Sequence, residues 1–253
     1  MITAMARSSP TFAGFSKKMP FFFRALEKNN TREWFTPRKE LFETEVRGPM
    51  IELVTLVNED LKRFAVDYTL AVPAKAIYRI YRDTRFSKDK TPYKTHIGAT
   101  FHRQGLSRNT CAGFYFGVSH KSVEIAGGMY MSGPDELAAV RAAMVEDPKR
   151  FLAHVNDRKV AKSMGALRGD RLARPPKGFD AHADSPVADH LKFKQLYWYV
   201  ELPADLALSP KIRNAVVDRF RLMAAALEWL NGAVLARLTP DQADRPVRPA
   251  PMW

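Results

Sequence analysis

Between Ala74 and Tyr130 the apolar residues recur at about every second position, whereas on either side of that block they recur at every third or fourth. No other feature constrains the fold as tightly, because a strand face and a helix face need different periods. Ile77-Tyr78-Arg79-Ile80-Tyr81, His96-Ile97-Gly98-Ala99-Thr100-Phe101, Ala112-Gly113-Phe114-Tyr115-Phe116 and Val123-Glu124-Ile125 alternate and predict strands. Most of their connections are too short for parallel crossover helices, so an antiparallel meander is expected. Gly127-Gly128 reads as the end of the last of these strands, and Gln195 to Val200 as one more.

Outside the block the pattern is helical. Met19, Phe22, Phe23 and Leu26 stand at i, i+3, i+4 and i+7, and Asn30 followed by Glu33 has the spacing of a capping box. Thr36-Pro37 predicts the next helix start, with Gly48-Pro49 as a kink or break before Met50, Leu53, Val54, Val57 and Leu61. Pro134 and Asp147-Pro148 each predict a helix, and Ser209-Pro210 opens a long one that Gly232 should end. Residues 161–191 mix Gly, Pro, Asp, Lys and Arg without periodicity and read as a long loop. The expected class is therefore α+β, an antiparallel sheet meander covered by N-terminal and C-terminal helices. Residues 12–238 are expected to form one domain, between a flexible N-terminus at 1–11 and a Pro-rich tail at 239–253.

Charge narrows the partners. Lys plus Arg number 40 against 27 Asp plus Glu, an excess of +13 that favours anionic ligands or surfaces. The single cysteine, Cys111, cannot close an intramolecular disulfide, so a reducing, cytoplasmic setting is expected. With no secretory h-region and no long apolar run, no membrane partner is expected. Cofactor and oligomeric state have no signature here.

The densest cationic segment runs from Tyr78 to His96, where Arg79, Arg82, Arg85, Lys88, Lys90 and Lys94 interleave with Tyr81, Phe86 and Tyr93. Guanidinium groups beside apolar side chains are costly to desolvate unless a carboxylate, phosphate or carbonyl meets them. Asp83 and Asp89 are the local acids, too few to neutralise the segment. Arg79 and Arg82 are each expected to be partly buried and paired. A solvated surface hairpin with weak ion pairs is the competing structural explanation. Two further basic positions qualify: Arg32, beside Asn30 and Trp34 at a helix junction, and Lys177 in the turn Pro175-Pro176-Lys177-Gly178. A metal site is not expected, since His96 and His102 would lie roughly 20 Å apart along one strand. Nucleophilic catalysis has no motif, and Cys111 reads as a buried, inert thiol.

The run Arg79-Ile80-Tyr81-Arg82-Asp83-Thr84-Arg85-Phe86-Ser87-Lys88-Asp89-Lys90-Thr91-Pro92-Tyr93-Lys94-Thr95-His96 resembles the signature of the family called domain of unknown function 2461. Asn29-Asn30-Thr31-Arg32-Glu33-Trp34-Phe35, Gly113-Phe114-Tyr115, Gly127-Gly128-Met129-Tyr130 and Arg174-Pro175-Pro176-Lys177-Gly178-Phe179 are similar to other blocks of that family, in its order, from about Phe12 to Leu230. That resemblance carries no activity with it.

The expected function is a basic pocket for a phosphate- or carboxylate-bearing small molecule, formed by Arg79, Arg82, Arg85, Lys88 and Lys94 with Arg32 and Lys177. If the protein is an enzyme, Asp83 and His96 are the groups placed to move a proton. The alternative is a nucleic-acid interface, with Tyr81, Phe86 and Tyr93 as stacking platforms among the cations.

Overall fold

The computed structural model describes residues 11–106 and 111–237. Helix α1 (Lys18–Lys28) buries Met19, Phe22, Phe23 and Leu26, the four residues its spacing picks out. Its neighbour α2 (Arg32–Phe35) is capped by Thr31, whose hydroxyl accepts a hydrogen bond from the Trp34 N–H at 3.2 Å. The cap is thus one residue beyond the expected Asn30, because the Asn30 side chain is engaged elsewhere. A 3-10 turn (Thr36–Arg38), α3 (Lys39–Phe42), a π-turn (Glu43–Arg47) and α4 (Gly48–Leu61) follow without a gap. Pro49 therefore does not break the chain. A proline ring collides with the carbonyl four residues back in a regular α-helix, and the π-turn widens the ladder there, so that Gly48 N–H donates to Glu43 O instead.

Strands β1 (His96–His102), β2 (Gly113–Ser119), β3 (Ser122–Met129) and β4 (Leu196–Pro203) form one antiparallel sheet in the order β1-β2-β3-β4. The expected strand at Ile77–Tyr81 is not one: it makes only isolated bridges, Ile77 to Ala99 and Tyr81 to Tyr93. After Tyr78 N–H donates to Gly98 O, the chain leaves β1 and bonds to itself, Arg82 N–H to Pro92 O and Lys94 N–H to Ile80 O. Asn30 takes the place of a strand neighbour. Its amide donates to Tyr93 O at 2.9 Å and accepts from Tyr93 N–H at 3.0 Å, tying this hairpin to the α1–α2 junction.

Helices α5 (Pro134–Glu146) and α6 (Pro148–Val155) start where Pro134 and Asp147-Pro148 place them, and Asp147 caps α6 by accepting from Arg150 N–H. The segment expected to be a long loop from 161 is more ordered in its path. It contains the end of α7 (Arg158–Met164) and α8 (Ala188–Leu191), and it bridges to β4 and its approach through Arg168 with Tyr197 and Arg171 with Phe193. Buried Arg141 of α5 anchors it by donating to Leu191 O and Phe193 O, both at 2.8 Å. The last helix, α9 (Lys211–Leu235), continues through Gly232, because packing of Ala233 and Val234 outweighs a single glycine's weak stop signal.

One face of the sheet is core. Ile97, Ala99, Phe101, Phe114, Phe116, Val118, Val123, Ile125 and Trp198 are buried, and the Phe220 ring of α9 stacks on Phe114 with centroids 4.6 Å apart. Each such aromatic is worth about 2–3 kcal/mol of burial. Residues 1–11 and 239–253, expected to be a flexible N-terminus and a tail, lie outside the described residues apart from Thr11. Among the described residues, no helix is long and apolar enough to cross a membrane.

Candidate functional site

Period-two geometry puts the other half of each strand on the opposite face. The register aligns three cross-strand rows there: Gly98, Gly117, Glu124, Glu201; then Thr100, Tyr115, Ala126, Tyr199; then His102, Gly113, Gly128, Tyr197. This face is neither apolar core nor a solvated charged surface. Its second row, with Gly113, Gly128 and Tyr197 of the third, floors a cleft of about 910 Å³, walled on the β1 side by Tyr78, Arg82, Lys94 and His96 and on the β4 side by Arg168.

Glycines let the tyrosines lie down. A Cβ on Gly98 or Gly117 would meet the Tyr115 ring or hydroxyl at 2.7 and 2.5 Å, so Tyr115 leans across both toward Glu124. Its hydroxyl donates to Glu124 Oε2 at 3.4 Å, and that of Tyr199 donates to Glu201 Oε1 at 2.6 Å. Glu124 and Glu201 oppose each other directly, and neither has a cationic partner within ion-pair distance among the described residues. They line a smaller recess of about 190 Å³ with Thr95, His96, Ser119, Lys121 and Ser122. Burial, then the Glu201 charge, raises the Glu124 carboxyl above the ordinary range. A carboxyl with a raised folded pKa contributes stability that is complete below the ordinary carboxylate value and is lost as pH climbs through the raised one. Glu124→Gln is therefore expected to melt a few degrees higher than wild type at pH 7 to 8, the gap closing below about pH 4; a variant that melts lower at pH 7 contradicts this assignment.

Arg168 is the cation best placed for a ligand. Its backbone is locked to β4 by Arg168 N–H to Tyr197 O (2.8 Å) and Tyr197 N–H to Arg168 O (3.1 Å). The guanidinium lies over the Tyr199 ring, 5.3 Å from its centroid, with no carboxylate partner among the described residues. Lys94 lies over Tyr78 at 5.1 Å. Both cations thus rest on aromatic faces at the cleft walls.

The residues picked from the sequence divide. Arg82, Asp83, Lys94 and His96 line the cleft; Arg32, Arg79, Arg85, Lys88 and Lys177 do not. Arg82 is largely buried, with its side chain 17% exposed, and donates to Asp89 and to the Thr91 hydroxyl. Arg79 is exposed, contrary to expectation, because its ribbon is not a strand and turns Ile80 inward while leaving Arg79 and Tyr81 outside. Asp83 is chelated by Arg85 through Nε (3.0 Å) and a terminal nitrogen (2.7 Å), which holds its carboxyl down at about 2. It carries no proton near neutral pH. His96 is pushed below its ordinary value by burial and then by Lys94, so it is neutral there. Tyr93 is buried and stacked on Phe35 at 4.2 Å, which removes one of the three proposed base platforms; Phe86 is 80% exposed, with Arg85 over its ring at 5.7 Å.

Tyr115, Tyr197, Tyr199, Arg168, Glu124 and Glu201 were not among the expected site residues. The signal for the three tyrosines was present in the strands, where many partners of the apolar positions are Gly, Ala, Thr and Tyr instead of Lys, Asp or Ser. Cys111 also lines the cleft, and burial pushes its thiol up to about 11, an unreactive state at neutral pH.

A search of curated proteins finds no match to this chain. A family model does match residues 18–229, most of its length, and that model is described as a conserved hypothetical protein. The chain belongs to the DUF2461 family.

Proposed function

We propose that the cleft over the polar face of the sheet binds a small molecule bearing a phosphate or carboxylate. Arg168 carries this reading: a guanidinium fixed by backbone bonds to β4, stacked on Tyr199, facing a large cleft and lacking a carboxylate of its own among the described residues. A guanidinium fork meets a phosphate or carboxylate with two parallel hydrogen bonds, and Lys94 adds positive charge on the opposite wall. Of the acids that line the cleft, Asp89 is taken by Arg82, Asp83 by Arg85 and Glu27 by Lys121 and His120, while Glu124 and Glu201 line the adjoining recess. Neutral His96 is the group suited to accept a proton from a bound ligand.

The test is calorimetric titration with pyrophosphate and citrate at low salt. Arg168→Gln is expected to weaken binding at least tenfold, about 1.4 kcal/mol, while Lys177→Gln, which removes the same charge outside the cleft, changes it less than twofold. Equal losses in the two variants would show that general positive charge, not this site, attracts the anion. Exposed Phe86 beside Arg85 favours the nucleic-acid alternative, whose mark is micromolar binding of oligonucleotides that weakens steeply with salt.

A further inference from the structure

The cleft is far larger than an isolated phosphate or carboxylate requires, and the ground beside Arg168 is flat. Gly113 faces Gly128 across β2 and β3, and Ala126 adjoins them in the next row, between Tyr115 and Tyr199. Backbone geometry alone accounts for both glycines, since a Cβ on Gly113 would meet Phe101 O at 2.8 Å and one on Gly128 would meet Leu196 O at 2.2 Å. The consequence is a trough of bare backbone in the middle of the sheet. Tyr115 and Tyr199 stand two strands apart, roughly 10 Å, and both hydroxyls lean away toward the carboxylates. Tyr197, packed edge to face with Tyr130 at 5.1 Å, closes the other side. Such a slot, walled by aromatic rings and floored by peptide planes, fits a planar ring lying against the sheet. The Arg168 plane on Tyr199 offers a further surface for stacking.

We infer that the ligand is an anion joined to a planar aromatic ring, of which a nucleoside monophosphate is the representative: the anion on Arg168 and the ring over Gly113, Ala126 and Gly128. This rests on the anion-binding proposal above and adds the chemistry of the rest of the molecule. The orientation follows from charge. Glu124 and Glu201, in the adjoining recess, repel an anion from that side of the cleft and leave the Arg168 side for it, and ring stacking on tyrosine is sequence-tolerant and worth about 1–3 kcal/mol per base. Stacking of that size predicts roughly a tenfold gain over the same anion without the ring.

Four probes separate the parts: inorganic phosphate, ribose 5-phosphate, adenosine 5′-monophosphate and adenosine, titrated into the full chain at low salt. The adenylate is expected to bind at least tenfold more tightly than ribose 5-phosphate. Ala126→Leu, which fills the trough without touching the cations, should erase that preference while leaving ribose 5-phosphate within twofold. Tyr197→Ala serves the same end if the leucine variant fails to fold. Equal affinity for the two phosphates in wild type overturns the ring site and leaves anion binding standing. No binding by any phosphate sinks the anion-binding proposal itself. A preference that survives in both variants places the ring elsewhere and overturns this assignment. A single-stranded oligonucleotide that binds more than tenfold tighter than the adenylate, with a steep salt dependence, replaces the small ligand by a nucleic acid.

Discussion

Asn231→Leu is expected to lower the stability of the fold by about 4 kcal/mol, because three buried hydrogen bonds are lost at once and both Ala112 peptide groups are left without their partner. Asn231 is a fully buried polar side chain on the core side of α9. Its amide nitrogen donates to Ala112 O at 2.9 Å and to the Tyr68 hydroxyl at 2.8 Å, and its oxygen accepts from Ala112 N–H at 2.7 Å. Ala112 directly precedes β2, so this one side chain supplies the hydrogen bonds that a neighbouring strand would otherwise make there. Leucine keeps the branched skeleton of asparagine and has better helix propensity, and its bulkier methyl groups add to the cost of the lost hydrogen bonds. At about 2–4 °C per kcal/mol for a chain of this size, melting should fall by roughly 10 °C or more. A urea titration reporting a loss below about 1 kcal/mol would show that water or a rearranged partner replaces the asparagine.

Gly128→Ala should be at least as damaging. Gly128 sits inside β3 with φ +136°, a conformation open in practice only to glycine, which costs an alanine about 1–3 kcal/mol. The added methyl also comes within 2.2 Å of Leu196 O on β4, so the β3–β4 ladder must open locally to admit it. The expected result is a loss of about 4 kcal/mol or more, read as a lower denaturation midpoint. Unchanged stability would mean that the strand reaches an ordinary extended conformation at this position. Neighbouring Gly127 is required for a different reason, since its Cβ would press on the Met223 sulfur of α9 at 2.8 Å. A glycine pair that looks like a strand terminus is thus the place where β3 touches α9 on one face and floors the cleft on the other.

That pair illustrates what the sequence could and could not tell. Periodicity located α1, α5, α6 and α9 and all four strands, because burial on one face writes itself into local spacing. It misjudged Gly127-Gly128 and Gly232, where contacts far away in the chain override a local breaker. The Tyr78–His96 segment was visible as unusual, and four of the candidate site residues picked from it, Arg82, Asp83, Lys94 and His96, do line the cleft. Which of its cations stay available was not visible, since that depends on Asp83 choosing Arg85 and Asp89 choosing Arg82. Arg168 was invisible for the same reason on a longer scale. It lies in a stretch without period, and its position is set by a bridge to Tyr197, 29 residues on.

Arg168 is proposed to anchor an anion above the polar face of the sheet. Crystals of the full chain soaked in molybdate, a tetrahedral anion with a usable anomalous signal, test it directly. An anomalous peak is expected within about 4 Å of the Arg168 guanidinium, in the cleft beside Tyr199. Peaks confined to exposed cations such as Arg79, Lys88 or Lys177, with none at Arg168, would contradict it.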